Sequence, residues 1–393
     1  QMVNEKILAH INVDEAVELL SKMIQMKTVN QPGDELPLAA MMADYMRSFG
    51  MEAEVVDLGN NRGNVIGRIR GTGERPALLF NGHLDTVPPG DVQWQHSPYS
   101  GVVKDGFIYG RGAADMKGGL AAMLAAAKAI KQAGLELKGD FIYTATADEE
   151  IDSIGAWHLL NSGGLSGVGA MIIGEPSSCG INIAEKGTCW LSFTTYGKTA
   201  HGAFPDRGVN AVTHMNALIN EILQYKFEYT ANPTLGHPTM NIATIQGGVK
   251  TNVVPDKCTL TVDIRTVPGM SHSSIVADFE AIMAKLEGQI PGFSATVSVL
   301  NDRPAVETAP DHPFVKMSQA VIQEEFNKTV EPKGVNFYTD ASVFLPSTGL
   351  PAIFYGPGDA DMAHQPNENI TLSSFTESIQ FYAAMIERYL IVS

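Results

Sequence analysis

Cysteine is scarce in this chain, with three in 393 residues. Cys179, Cys189 and Cys258 are too scattered for a disulfide framework and lack the paired spacing of a thiolate zinc site, so a reducing compartment is expected. Positive charge is also short: 27 Lys and Arg stand against 43 Asp and Glu, a formal net charge of −16. That sign repels phosphate backbones and anionic lipid surfaces, so neither nucleic acid nor membrane is expected as a partner. A small acidic substrate can still be captured by a few local cations. Long apolar runs are missing, with none approaching the length that spans a bilayer. The N-terminal stretch has no basic run followed by an apolar core and a small-residue cleavage site. The sequence therefore reads as a cytoplasmic protein.

What is present is ordinary globular material, 44% apolar and 18% charged. The length exceeds what one hydrophobic core accommodates, which predicts two domains. Val17, Leu20 and Ile24 recur at helical spacing, as do Leu38, Met41, Met42, Tyr45, Met46 and Phe49 before Gly50. Short apolar runs follow at Ala77 to Phe80, Phe141 to Ala145, Ala170 to Ile173 and Ala352 to Tyr355. Runs apolar on both faces suit the buried strands of a parallel sheet. Leu120, Met123, Leu124, Ala127 and Ile130 trace a crossover helix beyond Gly118-Gly119. The alternation predicts an α/β fold, a mostly parallel sheet covered by helices.

Between about Thr188 and Asn301 the pattern changes to strand, helix, strand, strand, helix, strand, the order of a ferredoxin-like α+β module. Cys258, Leu260, Val262 and Ile264 alternate with Thr259, Thr261, Asp263 and Arg265, so one face of that strand is buried and the other polar. The organisation expected is a first domain over residues 2–187 and 304–393, interrupted by an inserted one over 188–303.

Candidate ligands sit just after the proposed strands: His83 and Asp85 in G-H-L-D-T-V-P, Glu149 and Glu150 in A-D-E-E, and Glu175 in G-E-P. Open α/β sheets bind ligands beyond the carboxyl ends of their strands, so these loops can converge on one crevice. Asp115 lies in G-R-G-A-A-D-M-K-G-G, whose glycines let backbone pass close to a site. His364 follows the last apolar run in A-H-Q-P-N-E. Two imidazoles with three carboxylates from Asp115, Glu150 and Glu175 suit zinc or a similar divalent ion, and one bridging carboxylate makes room for two.

In order and spacing, these segments resemble the co-catalytic zinc amidohydrolase and peptidase family of acetylornithine deacetylase, succinyl-diaminopimelate desuccinylase, aminoacylase and glutamate carboxypeptidase. Each motif alone is weak, but five in order across nearly the whole chain are not. The resemblance implies a zinc-exopeptidase-like catalytic domain with an inserted lid and dimerisation domain. It implies two Zn2+, replaceable by Co2+ or Mn2+: Asp115 bridges them, His83 and Glu175 complete one site, and Glu150 and His364 the other. Glu149 is then the general acid/base, and Asp85 holds the ring of His83. In the inserted domain, His201 in T-A-H-G, Asn252 in T-N-V-V-P and Arg265 in D-I-R match substrate-holding positions. His201 and Asn252 are implied to reach the opposite subunit of a homodimer, His201 at the oxyanion and Arg265 at a substrate carboxylate.

Taken singly, His83 or His364 reads as a hydrogen-bonded loop histidine, Glu149-Glu150 as an acidic turn, Asp115 as a helix cap and Arg265 as a solvated strand arginine. His96, His158 and His214 have no matching context. The function implied is hydrolysis of the amide bond of an N-acyl amino acid. The alternative is a dipeptidase or glutamate-type carboxypeptidase of the same family. A non-catalytic metal-binding scaffold is disfavoured by the intact Glu149. The desuccinylase branch carries an N-G-G-T-S-D-like stretch where this chain has Asn336-Phe337-Tyr338-Thr339-Asp340-Ala341-Ser342, a departure that puts succinyl-diaminopimelate in doubt.

Overall fold

The computed structural model describes residues 3–392, so the expected domain start at Met2 lies outside the described residues. The chain divides into two compact units, one of residues 1–183, 308–333 and 339–393, the other of 184–307 with 334–338.

The first unit is built on a sheet whose centre is four parallel strands: Phe141–Thr146, Ala77–His83, Val168–Ile173 and Ala352–Phe354, in that spatial order. Phe141–Thr146 and Ala77–His83 are buried at every residue, as their unbroken apolar sequences require. The expected mostly parallel sheet is corrected here to a mixed one. Arg62–Ile69 runs antiparallel to Phe141–Thr146 and forms a hairpin with Glu52–Gly59, and Asn182 pairs antiparallel with Phe354 on the other side. The hairpin turns on Asn60 and Asn61 at φ 54° and 60°, the left-handed conformations a tight hairpin needs and asparagine tolerates. Its outer strand, with acidic residues at Glu52, Glu54 and Asp57 and exposed and half-buried positions interleaved, has no apolar run to announce it.

Helix Gly118–Ala133 lies between strands Ala77–His83 and Phe141–Thr146 in the chain and packs against Val13–Gln25 and the C-terminal helix Leu372–Leu390. Its entry is tight: a Cβ on Gly119 would lie 2.0 Å from the carbonyl oxygen of Gly174. Only glycine lets the start of this helix reach the strand end that leads into Glu175.

The second unit is an antiparallel sheet ordered Thr239–Gly247, Lys257–Thr266, Gly187–Tyr196, Ala295–Arg303. Helices Ala211–Gln224 and His272–Gln289 share a core with its inner face, where Leu191, Phe193, Leu260, Val262 and Ile264 meet Met215, Leu218, Phe279 and Met283. Cys258, Leu260, Val262 and Ile264 are buried while Thr259, Thr261, Asp263 and Arg265 are half-exposed, the alternation of a sheet covered on one side. Residues 334–338, expected in the returning part of the first domain, belong to this unit.

Candidate active site

The first unit gathers its polar residues at the carboxyl edge of the parallel strands. His83 ends Ala77–His83, Glu149 and Glu150 lie in the turn after Phe141–Thr146, Glu175 comes two residues after Val168–Ile173, and His364 lies in the loop beyond Ala352–Phe354. Asp115 sits in the single turn Ala113–Lys117 that leads into Gly118–Ala133. Parallel strands point their carboxyl ends the same way, so loops far apart in sequence share one crevice.

Asp115 lies between the imidazoles. Its Oδ1 is 2.9 Å from His83 Nε2, and its Oδ2 is 3.2 Å from His364 Nε2. Glu175 Oε1 and Glu149 Oε2 each stand 3.4 Å from His83 Nε2, and Glu150 Oε2 stands 3.4 Å from His364 Nε2. Three sets of possible ligand atoms, each within 4.8 Å of one another, result: His83, Asp115 and Glu175; Asp115, Glu150 and His364; and His83, Glu149 and Glu150. All five residues expected as ligands are brought together, with Glu149 beside them.

The Nδ1 of His83 donates to the main-chain oxygen of Asp85 at 2.8 Å, leaving Nε2 to face the cluster. The Asp85 carboxylate is farther from that nitrogen, 3.4 Å. Its short bonds go elsewhere, accepting the main-chain N–H of Glu149 (3.0 Å) and of Glu150 (3.1 Å). Asp85 thus steadies the imidazole through its backbone and the paired glutamates through its side chain.

Electrostatics mark the cluster as short of cations. Burial, then repulsion from Glu150 and Glu175, holds the Glu149 carboxyl well above the usual range against the pull of His83. Burial and the charge of Asp115 push Glu150 up to about 8, and burial pushes Glu175 up to about 7. Burial alone would lower His83, but Glu149, Glu175, Asp115 and Asp85 outweigh it and hold the imidazole well above its ordinary value. Hydrogen bonds to Asp115 and Glu150 raise His364 to about 10. Burial works against ionising Asp115, but its bonds to His364 and His83 hold its carboxyl below the usual range. Oε1 of Glu150 is buried without a hydrogen-bond partner. Among the described residues, several carboxylates clustered with two imidazoles, with an orphaned buried oxygen among them, fit a pair of divalent cations.

The second-unit candidates lie apart from this cluster in the chain. His201 and Asn252 are exposed and adjacent: Gly202 N–H donates to the Asn252 main-chain oxygen at 2.8 Å, and His201 pairs with Val253 in an isolated bridge. Arg265 gives its fork to Asp263, Nε at 2.9 Å and Nη2 at 3.1 Å, while Nη1 donates to Thr188 Oγ1 at 3.0 Å. The three cysteines are unpaired and buried.

Sequence reasoning passed over several buried residues that brace the segments around the candidate ligands. Glu368 and Arg111 lie inside motifs singled out for His364 and Asp115, and form a fully buried ion pair at 2.7 Å. Lys117 is buried and donates to the main-chain oxygens of Met23 and Met26 at 3.0 and 2.8 Å. Asp340 accepts Thr146 Oγ1 at 2.9 Å and Ser153 Oγ at 2.7 Å, bracing both ends of the Glu149-Glu150 turn. A charged residue inside a glycine-rich or His-containing loop was the available signal for the first three.

Residues 79–388 match Peptidase family M20/M25/M40. A protein of Staphylococcus epidermidis named "Probable succinyl-diaminopimelate desuccinylase" is 29% identical, over 97% of this chain and 99% of its own. Among solved structures, the aminopeptidase PepT of Bacillus cereus superposes with a TM-score of 0.79 at 22% identity, covering 97% of this chain and 99% of that one. A dinuclear metal binding peptidase of Bacillus subtilis does so with a TM-score of 0.74 at 16% identity, covering 95% and 97%. The family match and the named relative give the class, a metal-dependent hydrolase acting on amide bonds, and the clustered carboxylates and imidazoles at the carboxyl edge of the mixed sheet are groups that could hold the metal. The chain belongs to peptidase family M20/M25/M40. Among the described residues no helix is long and apolar enough to cross a membrane.

Proposed function

We propose that the chain deacylates an N-acyl amino acid by hydrolysing its linear amide bond. His83, Asp115, Glu150, Glu175 and His364 would hold two divalent ions, zinc with cobalt or manganese as substitutes. The observation that carries this reading is Asp115 turning one carboxylate oxygen toward each imidazole. The choice of an N-acyl amino acid leans on the name of the curated relative, at 29% identity. The stretch Asn336 to Ser342 argues against the succinyl-diaminopimelate end of that range.

Bound there, a pair of metal ions lowers the pKa of a water and polarises the amide carbonyl. Glu149 supplies the proton traffic. Its buried carboxylate takes a proton from the attacking water and delivers it to the departing amine nitrogen, without which the C–N bond does not break readily. Asp85 fixes where that carboxylate stands by holding the Glu149 main-chain N–H. His201 and Asn252 are read as acting on the site of a second copy in a homodimer, His201 donating to the tetrahedral oxyanion. Their exposure and mutual pairing support this reading. The second unit then serves as lid and dimerisation domain. Arg265 can hold a substrate carboxylate only by releasing Asp263 from its fork. A cytoplasmic site of action fits three unpaired cysteines.

Glu149→Gln is the test. The variant should retain both metal equivalents while turnover falls by about 10²–10⁴-fold; undiminished turnover would remove Glu149 from its role. A panel of N-acetyl, N-succinyl and N-formyl amino acids with dipeptides, assayed with added zinc, cobalt or manganese, reads the substrate. Preference for dipeptides would move the assignment to a peptidase of the same family.

A further inference from the structure

The turn that carries Glu149 and Glu150 depends on groups far from it in sequence. Within it, Asp148 and Ser153 adopt left-handed φ of 73° and 56°, a conformation that aspartate tolerates and serine takes up less readily. Asp148 Oδ2 accepts the main-chain N–H of Asp152 at 3.2 Å and of Ile154 at 3.3 Å, closing the turn on itself. On the other side, the Asp85 carboxylate takes the N–H groups of Glu149 and Glu150. Asp85 and Asp148 are 0% and 2% exposed, so two buried carboxylates hold the turn and need compensation.

One amide group bridges them. Asn30 Nδ2 donates to Asp85 Oδ2 at 2.9 Å and to Asp148 Oδ1 at 2.7 Å. Asn30 is itself fixed by its main-chain N–H, which donates to the Thr86 carbonyl at 2.8 Å. Arg62 supplies the cation: Nη2 lies 3.1 Å from Asp148 Oδ1, and Nη2 and Nε grip Glu35 at 2.6 and 2.9 Å. Backbone is folded over that guanidinium. Gly33 adopts φ 106°, and a Cβ there would fall 2.5 Å from Nε and Nη2 of Arg62. The chain thus runs from Glu35 through Arg62, Asp148, Asn30 and Asp85 to the main-chain N–H groups of both glutamates.

We propose that Asn30 and Arg62 are positioning residues for Glu149 and Glu150, neither touching metal nor substrate, which set the two carboxyls through Asp85 and Asp148. This rests on the reading of Glu149 as proton carrier and Glu150 as ligand. Removing the amide of Asn30 leaves Asp85 and Asp148 with no shared donor, so the turn relaxes and both glutamates shift. An isosteric side chain without the donor, as in Asn30→Leu, has the same effect as Asn30→Ala, because the bridge and not the volume matters.

The test is a titration of Co2+ into chelator-stripped protein, followed by its visible absorption, alongside steady-state kinetics of the reloaded enzyme. The wild type should take up two equivalents; fewer would overturn the reading of the site itself, and with it this proposal. With two in the wild type, Asn30→Ala and Asn30→Leu should weaken one equivalent by about 10-fold, leave the other within about twofold, and lower kcat about 10-fold with KM little changed. Ile322→Ala, in the core of helix Pro313–Phe326 at 1% exposure, should lower the melting temperature without altering either equivalent. Should the Asn30 variants not fold, Arg62→Lys keeps the charge but not the two-pronged grip on Glu35, and should show the same pattern with a smaller loss than the Asn30 variants. Cobalt binding and kcat in these variants matching Ile322→Ala would overturn the assignment.

Discussion

Glu368 carries Asp115. Its Oε2 accepts the main-chain N–H of Asp115 at 3.0 Å, with those of Ala114 at 2.8 Å and Gly112 at 3.1 Å, while Oε1 takes Nη1 of Arg111 at 2.7 Å. Because Glu368 follows His364 by four residues, one carboxylate ties together the loops that present Asp115 and His364. Arg111 extends the tie, donating to the carbonyls of Gln365 and Pro88, each at 3.1 Å, beneath the ring of Trp94.

Glu368→Ala should therefore be severe. It leaves the buried Arg111 guanidinium unpaired and three main-chain N–H groups without acceptors, a loss of about 3–5 kcal/mol by the usual cost of breaking a buried pair. Denaturant unfolding of the metal-free protein measures it, and a loss under about 1 kcal/mol, the range of an exposed pair, would show that the clamp does not hold the loops.

Metal removal should make stability fall as pH rises. Glu150 at about 8 and Glu175 at about 7 lie above the 4.5 of an unconstrained glutamate. Between pH 4.5 and 8, then, the folded metal-free chain holds protons that the unfolded chain has released, and its stability falls as pH rises. His364, raised from 6.5 to about 10, adds the same sign over its own window. Asp115, lowered from 3.8, acts only below that value. Melting temperatures with chelator should drop from pH 5.5 to 8.5. Zinc-loaded protein should not show the drop, since metal binding displaces those protons. Parallel curves with and without metal would contradict this.

The cross-subunit reading of His201 predicts complementation. Glu149→Gln and His201→Ala should each be nearly inactive, yet subunits exchanged between them should recover roughly a quarter of wild-type activity. Random pairing makes half the dimers mixed, each with one intact site of two. A mixture no more active than the sum of its parts would place His201 outside the partner's site.

The residues that were easiest to read are those whose position follows from a strand end. Four buried apolar runs located His83, Glu149, Glu150, Glu175 and His364 because each precedes a polar loop, and glycines flanked Asp115. What escaped was support at a distance. Asn30 and Arg62 sit in an unremarkable loop and on the inner strand of a hairpin whose outer strand is half-exposed, and nothing local shows that they meet Asp148. The parallel reading of the sheet overreached for the same reason, since Glu52–Gly59 is half polar and leaves no apolar signature. The fork of Arg265 looked free because its partner, Asp263, is two residues away on the same polar face, where sequence shows a charge but not a contact.

Anomalous diffraction from crystals of cobalt- or zinc-loaded protein bears most directly on the site. Two peaks are expected on either side of the Asp115 carboxylate, one also bound by His83 and Glu175 and the other by Glu150 and His364. A lone peak, or metal bound away from Asp115, would contradict the account.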